Sequence, residues 1–173
     1  MPRAASAALK VSQVALRLLT VLNSVYGAMI FAILIGMFIA ERWTLTALGV
    51  PPAPESAPLV QGMRMIAVLG LAGVPLNFIV LSRLLAIVDT VSAGDPFVAH
   101  NAVRLHSISW AVLGQQLLQL AIGTIASSVS TPRHPLHISA FSLGGWLAVI
   151  LLFVLARVFA EGTRMRDELD GTV

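Results

Sequence analysis

Few side chains in this chain could do chemistry. There are four histidines and no cysteine, so disulfides, thiolate metal sites and cysteine nucleophiles are excluded. His134 and His137 stand in a proline-bounded turn and offer two ligands where zinc sites use three or four. His100 and His106 lie at the other end of an apolar block. If that block crosses a bilayer, a hydrocarbon core of about 30 Å separates the two pairs and they cannot share a metal. Ser139 and Ser142 have only His137 nearby, adjacent in sequence and with no deep acid to orient it, so nucleophilic catalysis lacks an oriented base. The sequence has no glycine-rich phosphate loop with a lysine and no His-Glu-x-x-His run. The expectation is a non-enzymatic chain with no catalytic residue, no metal and no cofactor.

A second set of polar groups lies inside apolar blocks. Ala111, Gln115, Gln119, Gly123 and Ser127 recur every four residues. An amide facing lipid leaves its donors and acceptors unsatisfied, so this stripe should turn inward. Helical rise places Gln115 and Gln119 roughly 12 and 18 Å from the start of their block, and Asn77 about 15 Å from the matching end of its own. Asn77 is therefore expected to bond one of these glutamines, as interhelical glue or as the lining of a polar path.

What positions these residues follows from composition. Of 173 residues, 57% are hydrophobic and only 11% charged, against about 25% charged in a typical soluble domain. Much of the surface must face something other than water. About 20 apolar residues span the hydrocarbon core, and four stretches reach or approach that length, at about 18–40, 65–87, 107–130 and 138–159. The fold class is all-α, a membrane bundle of four transmembrane helices forming a single domain over residues 1–173. The first block exceeds the roughly 7–15 residues of a signal-peptide core, and it reads as an uncleaved helix.

Basic residues set the orientation. With the N-terminus inside, Arg3, Lys10, Arg17, Arg83, Arg104, Arg157, Arg164 and Arg166 are cytoplasmic, and only Arg42, Arg64 and Arg133 lie outside. The cytoplasmic segments are then 1–17, 88–106 and 160–173. The pI of about 10.6 follows from these flanking residues. They form no continuous stripe, so no direct nucleic-acid binding is expected. Pro51, Pro52, Pro54 and Pro58 make the first outer loop, 41–64, an extended excursion. Trp43 and Trp110 stand where interfacial aromatic anchors are expected. Lys10, Val11, Val14 and Arg17 permit an interfacial helix near the N-terminus, and the spacing leaves its formation open.

Small residues every fourth position let helices approach closely in lipid. Ala28, Ala32, Gly36 and Ala40 form one such ladder, and Ala140, Gly144 and Ala148 another. Packing within one chain is the first reading of both, and a homo-oligomer interface the second.

Two segments fall on the inner side. In Ser92-Ala93-Gly94-Asp95-Pro96-Phe97, Gly94 suits the end of one element, Asp95 is a good N-cap and Pro96 fits the first helical position. A helix from there into the third span puts Phe97, Asn101 and Leu105 on one face, with His100 and Arg104 beside them. The second segment, Ala156 to Val173, carries the fourth helix out as a charged extension. In a compact bundle the two should meet, with Arg83 and Arg104 facing Glu161, Asp167, Glu168 and Asp170. The expected cytoplasmic interaction surface is Arg83, Asp95, Phe97, Asn101, Arg104, Glu161, Arg164 and Arg166.

The run Gly94-Asp95-Pro96-Phe97, Asn101 and Arg104-Leu105 resembles the signature of a bacterial membrane family, domain of unknown function 2975. So does the terminal run from Val158-Phe159 and Gly162 through Arg166, Glu168-Leu169 and Thr172-Val173. The likeness extends over essentially the whole chain, with four spans in the same places. It implies membrane embedding and supplies no catalytic residue. Members are often encoded beside a small helix-turn-helix regulator, which implies a membrane partner of a cytoplasmic transcription factor. Asp170-Gly171 before Thr172-Val173 departs from the commoner ending. The partners expected are therefore the lipid bilayer and a cytoplasmic regulator. A small transporter or channel subunit using the amide stripe is the alternative, and a structural envelope protein the third.

Overall fold

The computed structural model describes residues 2–50, 56–94, 98–130, 136 and 138–170, with side chains throughout except at 2–7, 166, 167, 169 and 170. Among the described residues the chain is all-helical: α1 (Pro2–Ile39), α2 (Glu41–Ala47), α3 (Ala57–Ser92), α4 (Ala99–Val129) and α5 (Leu143–Asp170). Among the described residues, four stretches are long and apolar enough to cross a membrane: Ala8–Ile39, Ala57–Ser92, Ala99–Val129 and Leu143–Met165. Their outward residues are large and apolar, among them Val14, Val25, Phe31, Phe78, Leu151 and Val154. A surface of that kind is stable only against a nonaqueous surround.

The helices extend beyond the apolar blocks. The α1 helix is continuous from Pro2, so the N-terminal segment is an extension of the first span. The α3 helix begins at Ala57 and runs through Pro75. Pro58 falls in its first turn, where the missing N–H would have had no partner. Of the outer loop expected at 41–64, the described residues include the seven of α2 and the first turns of α3, which are helical and not extended, whereas Pro51, Pro52 and Pro54 lie outside the described residues. The α2 helix closes on Gly49 at φ +76°, a left-handed conformation that glycine adopts without Cβ strain. The Gly49 N–H then donates to Thr46 O at 3.0 Å and the Val50 N–H to Leu45 O at 2.8 Å.

The fourth helix begins at Leu143, five residues later than its apolar block. Ser139 Oγ donates to Phe141 O at 2.8 Å in the preceding segment, a local bond that competes with helix. The expected ladder Ala140, Gly144, Ala148 is broken by this start, since Ala140 lies outside the helix.

The chain divides into two compact units, Met1–Asn23, Leu76–Gly114 and Leu143–Val173 in the first, Ser24–Pro75 and Gln115–Ser142 in the second. In the second, Leu45, Val50, Leu59 and Val60 form a buried cluster packed by Met63, Val129 and Leu136. Close approach there uses glycine. A Cβ on Gly62 would meet Val129 Cγ2 at 2.7 Å, and one on Gly123 would collide with Ala140. Of the expected α1 ladder, Ala28, Ala32 and Ala40 are exposed, while Gly36 packs on Thr44 of α2, whose Oγ1 lies 2.8 Å from the Cβ position. Buried Gly27 receives Val74, one position away from the ladder.

Arg64 organises the same unit. Its Nη2 donates to Met37 O at 2.6 Å and lies 3.3 Å from Glu41 Oε2. Its guanidinium stands 4.7 Å from the Phe38 ring centroid. A cation on a carbonyl of the last α1 turn satisfies an orphan acceptor and opposes the helix dipole.

Candidate interaction surface

The site is built in the first unit, around the turn from α3 to α4. Gly94 ends α3 with φ +94°, and the Ala93 and Gly94 N–H groups donate to Asp89 O and Val91 O, each at 3.1 Å. The expected terminating role of Gly94 is what the backbone shows. Asp95 and Phe97, and the start expected at Pro96, lie outside the described residues. The α4 helix is described from Ala99, with the Asn101 N–H donating to Val98 O at 2.8 Å.

Inward residues of α4 are Asn101, Ala102, Leu105, Ile108 and Ser109, the spacing of one helical face. Asn101 has no exposed surface. Its Nδ2 donates to Thr90 Oγ1 at 2.8 Å, and Thr90 Oγ1 donates to Ile87 O at 2.7 Å. Arg104 Nη1 donates to Asn101 Oδ1 at 2.8 Å and to Ala86 O at 3.1 Å. Arg104 and Asn101 thus link α4 to the last turns of α3. Because Asn101 is fully buried, its bonds meet little competition from solvent. Farther along, Leu76 Cδ1 approaches the Cβ position of Gly114 to 3.1 Å. Gln13 Nε2 donates to Asp89 Oδ1 at 2.8 Å and joins α1 to the same end of α3.

Asn101 and Arg104, expected on an exposed face, are therefore internal braces. The helical face was correctly grouped with Leu105, and that face turns inward. Arg83 is exposed and makes no hydrogen bond or ion pair among the described residues. Glu161 and Glu168 do not pair with Arg83 or Arg104. They flank Arg164 on their own helix, at 3.7 and 3.2 Å, because i, i+3 and i, i+4 neighbours are already within reach. All three are half or more exposed, so each pair contributes only a few tenths of a kcal/mol. The Arg166 side chain lies outside the described residues, as do those of Asp167 and Asp170. Thr163, buried on the inner side of this extension, bonds back to Phe159 O and Ala160 O.

Asn77 is exposed on α3 in the first unit. Gln115 and Gln119 are partly buried in the second, where the Gln119 amide donates to Ser139 O at 3.4 Å. Ala111 and Gly123 of the expected stripe are buried, whereas Ser127 is exposed. His134 and His137 lie outside the described residues. Among the described residues no group of three His, Cys, Asp or Glu side chains is placed to hold a metal ion.

One cluster was not anticipated. Trp110 Nε1 donates to His106 Nε2 at 3.0 Å, and Phe153 of α5 stands edge-on to both rings, with centroids 5.8 Å from His106 and 5.4 Å from Trp110. The four-residue spacing of His106 and Trp110 was a usable signal, but nothing local points to Phe153.

Four apolar spans and a hydrogen-bonded brace at a helix turn define a multi-pass α-helical membrane protein. Residues 5–173 match the family described as a protein of unknown function (DUF2975), and the chain belongs to it. No curated protein and no solved structure is measurably similar to the chain.

Proposed function

We propose that the chain is a non-enzymatic protein of the bacterial inner membrane, with both termini cytoplasmic, that docks a small cytoplasmic helix-turn-helix transcriptional regulator. The observation that carries this reading is the brace made by Asn101, Thr90 and Arg104. Three side chains with bonding capacity are spent on joining the end of α3 to the start of α4, beside a helical extension that keeps Glu161, Arg164 and Glu168 exposed. A preorganised face loses little freedom on binding, which favours affinity. Exposed Arg83 and the alternating charges of α5 provide recognition by charge pattern rather than by an apolar patch. Family resemblance adds the genetic association with such regulators.

Affinity purification of the full chain from native membranes tests the proposal. A small helix-turn-helix protein should be recovered, and Glu161→Lys with Glu168→Lys should release it while leaving membrane insertion intact. Recovery of no such protein, or retention by the charge-reversed variant, would contradict it.

A further inference from the structure

In the first unit, residues of α4 and α5 line an open groove of about 430 Å³. Ala102, Ala156 and Ala160 line it with small side chains, together with Val103 and Phe153, and His106 and Arg157 supply its polar groups. Arg157 is the first charge of α5 after fourteen uncharged residues, 143–156, a run of about 21 Å along the helix. It therefore sits where the apolar part of α5 gives way to charged residues. Arg157 is exposed and makes no hydrogen bond or ion pair among the described residues. The acid one turn on, Glu161, is paired with Arg164.

His106 adds a donor. Its Nε2 accepts from Trp110, so the neutral ring carries its proton on Nδ1, and no described residue accepts from that nitrogen. Val103 of the groove lining is more than half exposed, as are Trp110, Val154 and Val158 on the same two helices, an apolar surface of the kind a bilayer covers. Among the groove's described lining residues the polar side chains are His106 and Arg157, and none is a carboxylate that would hold an ammonium.

We infer that this groove binds an anionic phospholipid, with the phosphate on Arg157 and the His106 Nδ1–H and an acyl chain laid along the alanines. Basic pockets beside membrane helices select anionic head groups because guanidinium offers several donors and a full charge. The inference is independent of the regulator-docking proposal.

The test is thermal unfolding of the full chain in detergent with added phosphatidylglycerol or phosphatidylcholine of identical acyl chains. Phosphatidylglycerol should act at about fivefold lower concentration, the factor that one basic side chain near a membrane surface supplies. Arg157→Gln should abolish that preference without changing the midpoint in phosphatidylcholine, whereas Arg157→Lys should keep part of it. Ala160→Leu fills the groove at constant charge and should weaken the response as well. Lys10→Gln, an exposed cation elsewhere, should leave the preference whole. Equal response of the native chain to both lipids, or a preference surviving Arg157→Gln, would overturn the inference. So would a loss with Lys10→Gln equal to that with Arg157→Gln, or a shift reproduced by glycerol phosphate alone.

Discussion

Asn101 on α4 gives its side-chain amide to the Thr90 hydroxyl on α3 at 2.8 Å, with no part of Asn101 exposed. The same residue accepts from Arg104, so one buried amide joins the two helices and orients a cation. Interhelical bonds of this kind contribute about 0.6–2 kcal/mol in membrane proteins, and removing one partner leaves the other unsatisfied.

Asn101→Leu should therefore lower stability by about 1–3 kcal/mol, and Thr90→Val by less. In a double-mutant cycle followed by thermal unfolding in detergent, the two changes should couple by about 0.6–2 kcal/mol. Additive effects would mean that the bond contributes nothing to the brace.

Gly62 and Gly144 make a matched comparison. A Cβ on Gly62 falls 2.7 Å from Val129 Cγ2 and 2.8 Å from Val129 Cγ1, whereas one on Gly144 meets nothing within 4 Å. Gly62→Ala should destabilise by about 1–3 kcal/mol through overpacking. Gly144→Ala should be neutral or slightly stabilising through helix propensity. Equal midpoints for the two variants would refute the packing described around Gly62.

Arg64 contributes more through Met37 O than through Glu41. A hydrogen bond from a charged donor is worth about 1.5–3 kcal/mol, and the partly exposed ion pair about 0–1 kcal/mol. Arg64→Ala should thus shift the unfolding midpoint several times more than Glu41→Gln. The reverse order would place the stabilisation in the ion pair.

Gln119→Leu should cost under about 1 kcal/mol, since its bond to Ser139 O is long at 3.4 Å and weakens with distance. A larger loss, measured by the same unfolding assay, would give this amide a structural weight that the geometry does not.

How much of this was legible beforehand depended on the length of each signal. The four spans were readable because a long uncharged apolar run has few stable alternatives to a membrane helix, and Gly94 was readable as a terminator. The seven residues of α2 carry too little periodicity to be recognised, and the prolines after Gly49 dominate their surroundings. The start of α5 was misplaced because hydropathy measures transfer from water, not conformation. Residues 138–142 are apolar enough to continue the block, yet Ala140 packs on Gly123 outside the helix. At the candidate site, spacing grouped Asn101 with Leu105 correctly and could not say which way their face turns. The charge partners of Arg164 were local, and nonlocal pairs such as Arg64 with Met37 O have no sequence signature.

The proposed function requires the braced α3–α4 turn and the α5 extension to face the cytoplasm, and the absence of native cysteine allows a direct measurement. Ala93→Cys, exposed beside Gly94, and Ala47→Cys, exposed at the end of α2, should each be treated separately with a membrane-impermeant maleimide. In spheroplasts with the inner membrane intact, Ala47→Cys should be labelled and Ala93→Cys protected, and inverted vesicles should exchange the two results. Labelling of Ala93→Cys in intact spheroplasts would put the braced turn on the outer side and contradict docking to any cytoplasmic regulator.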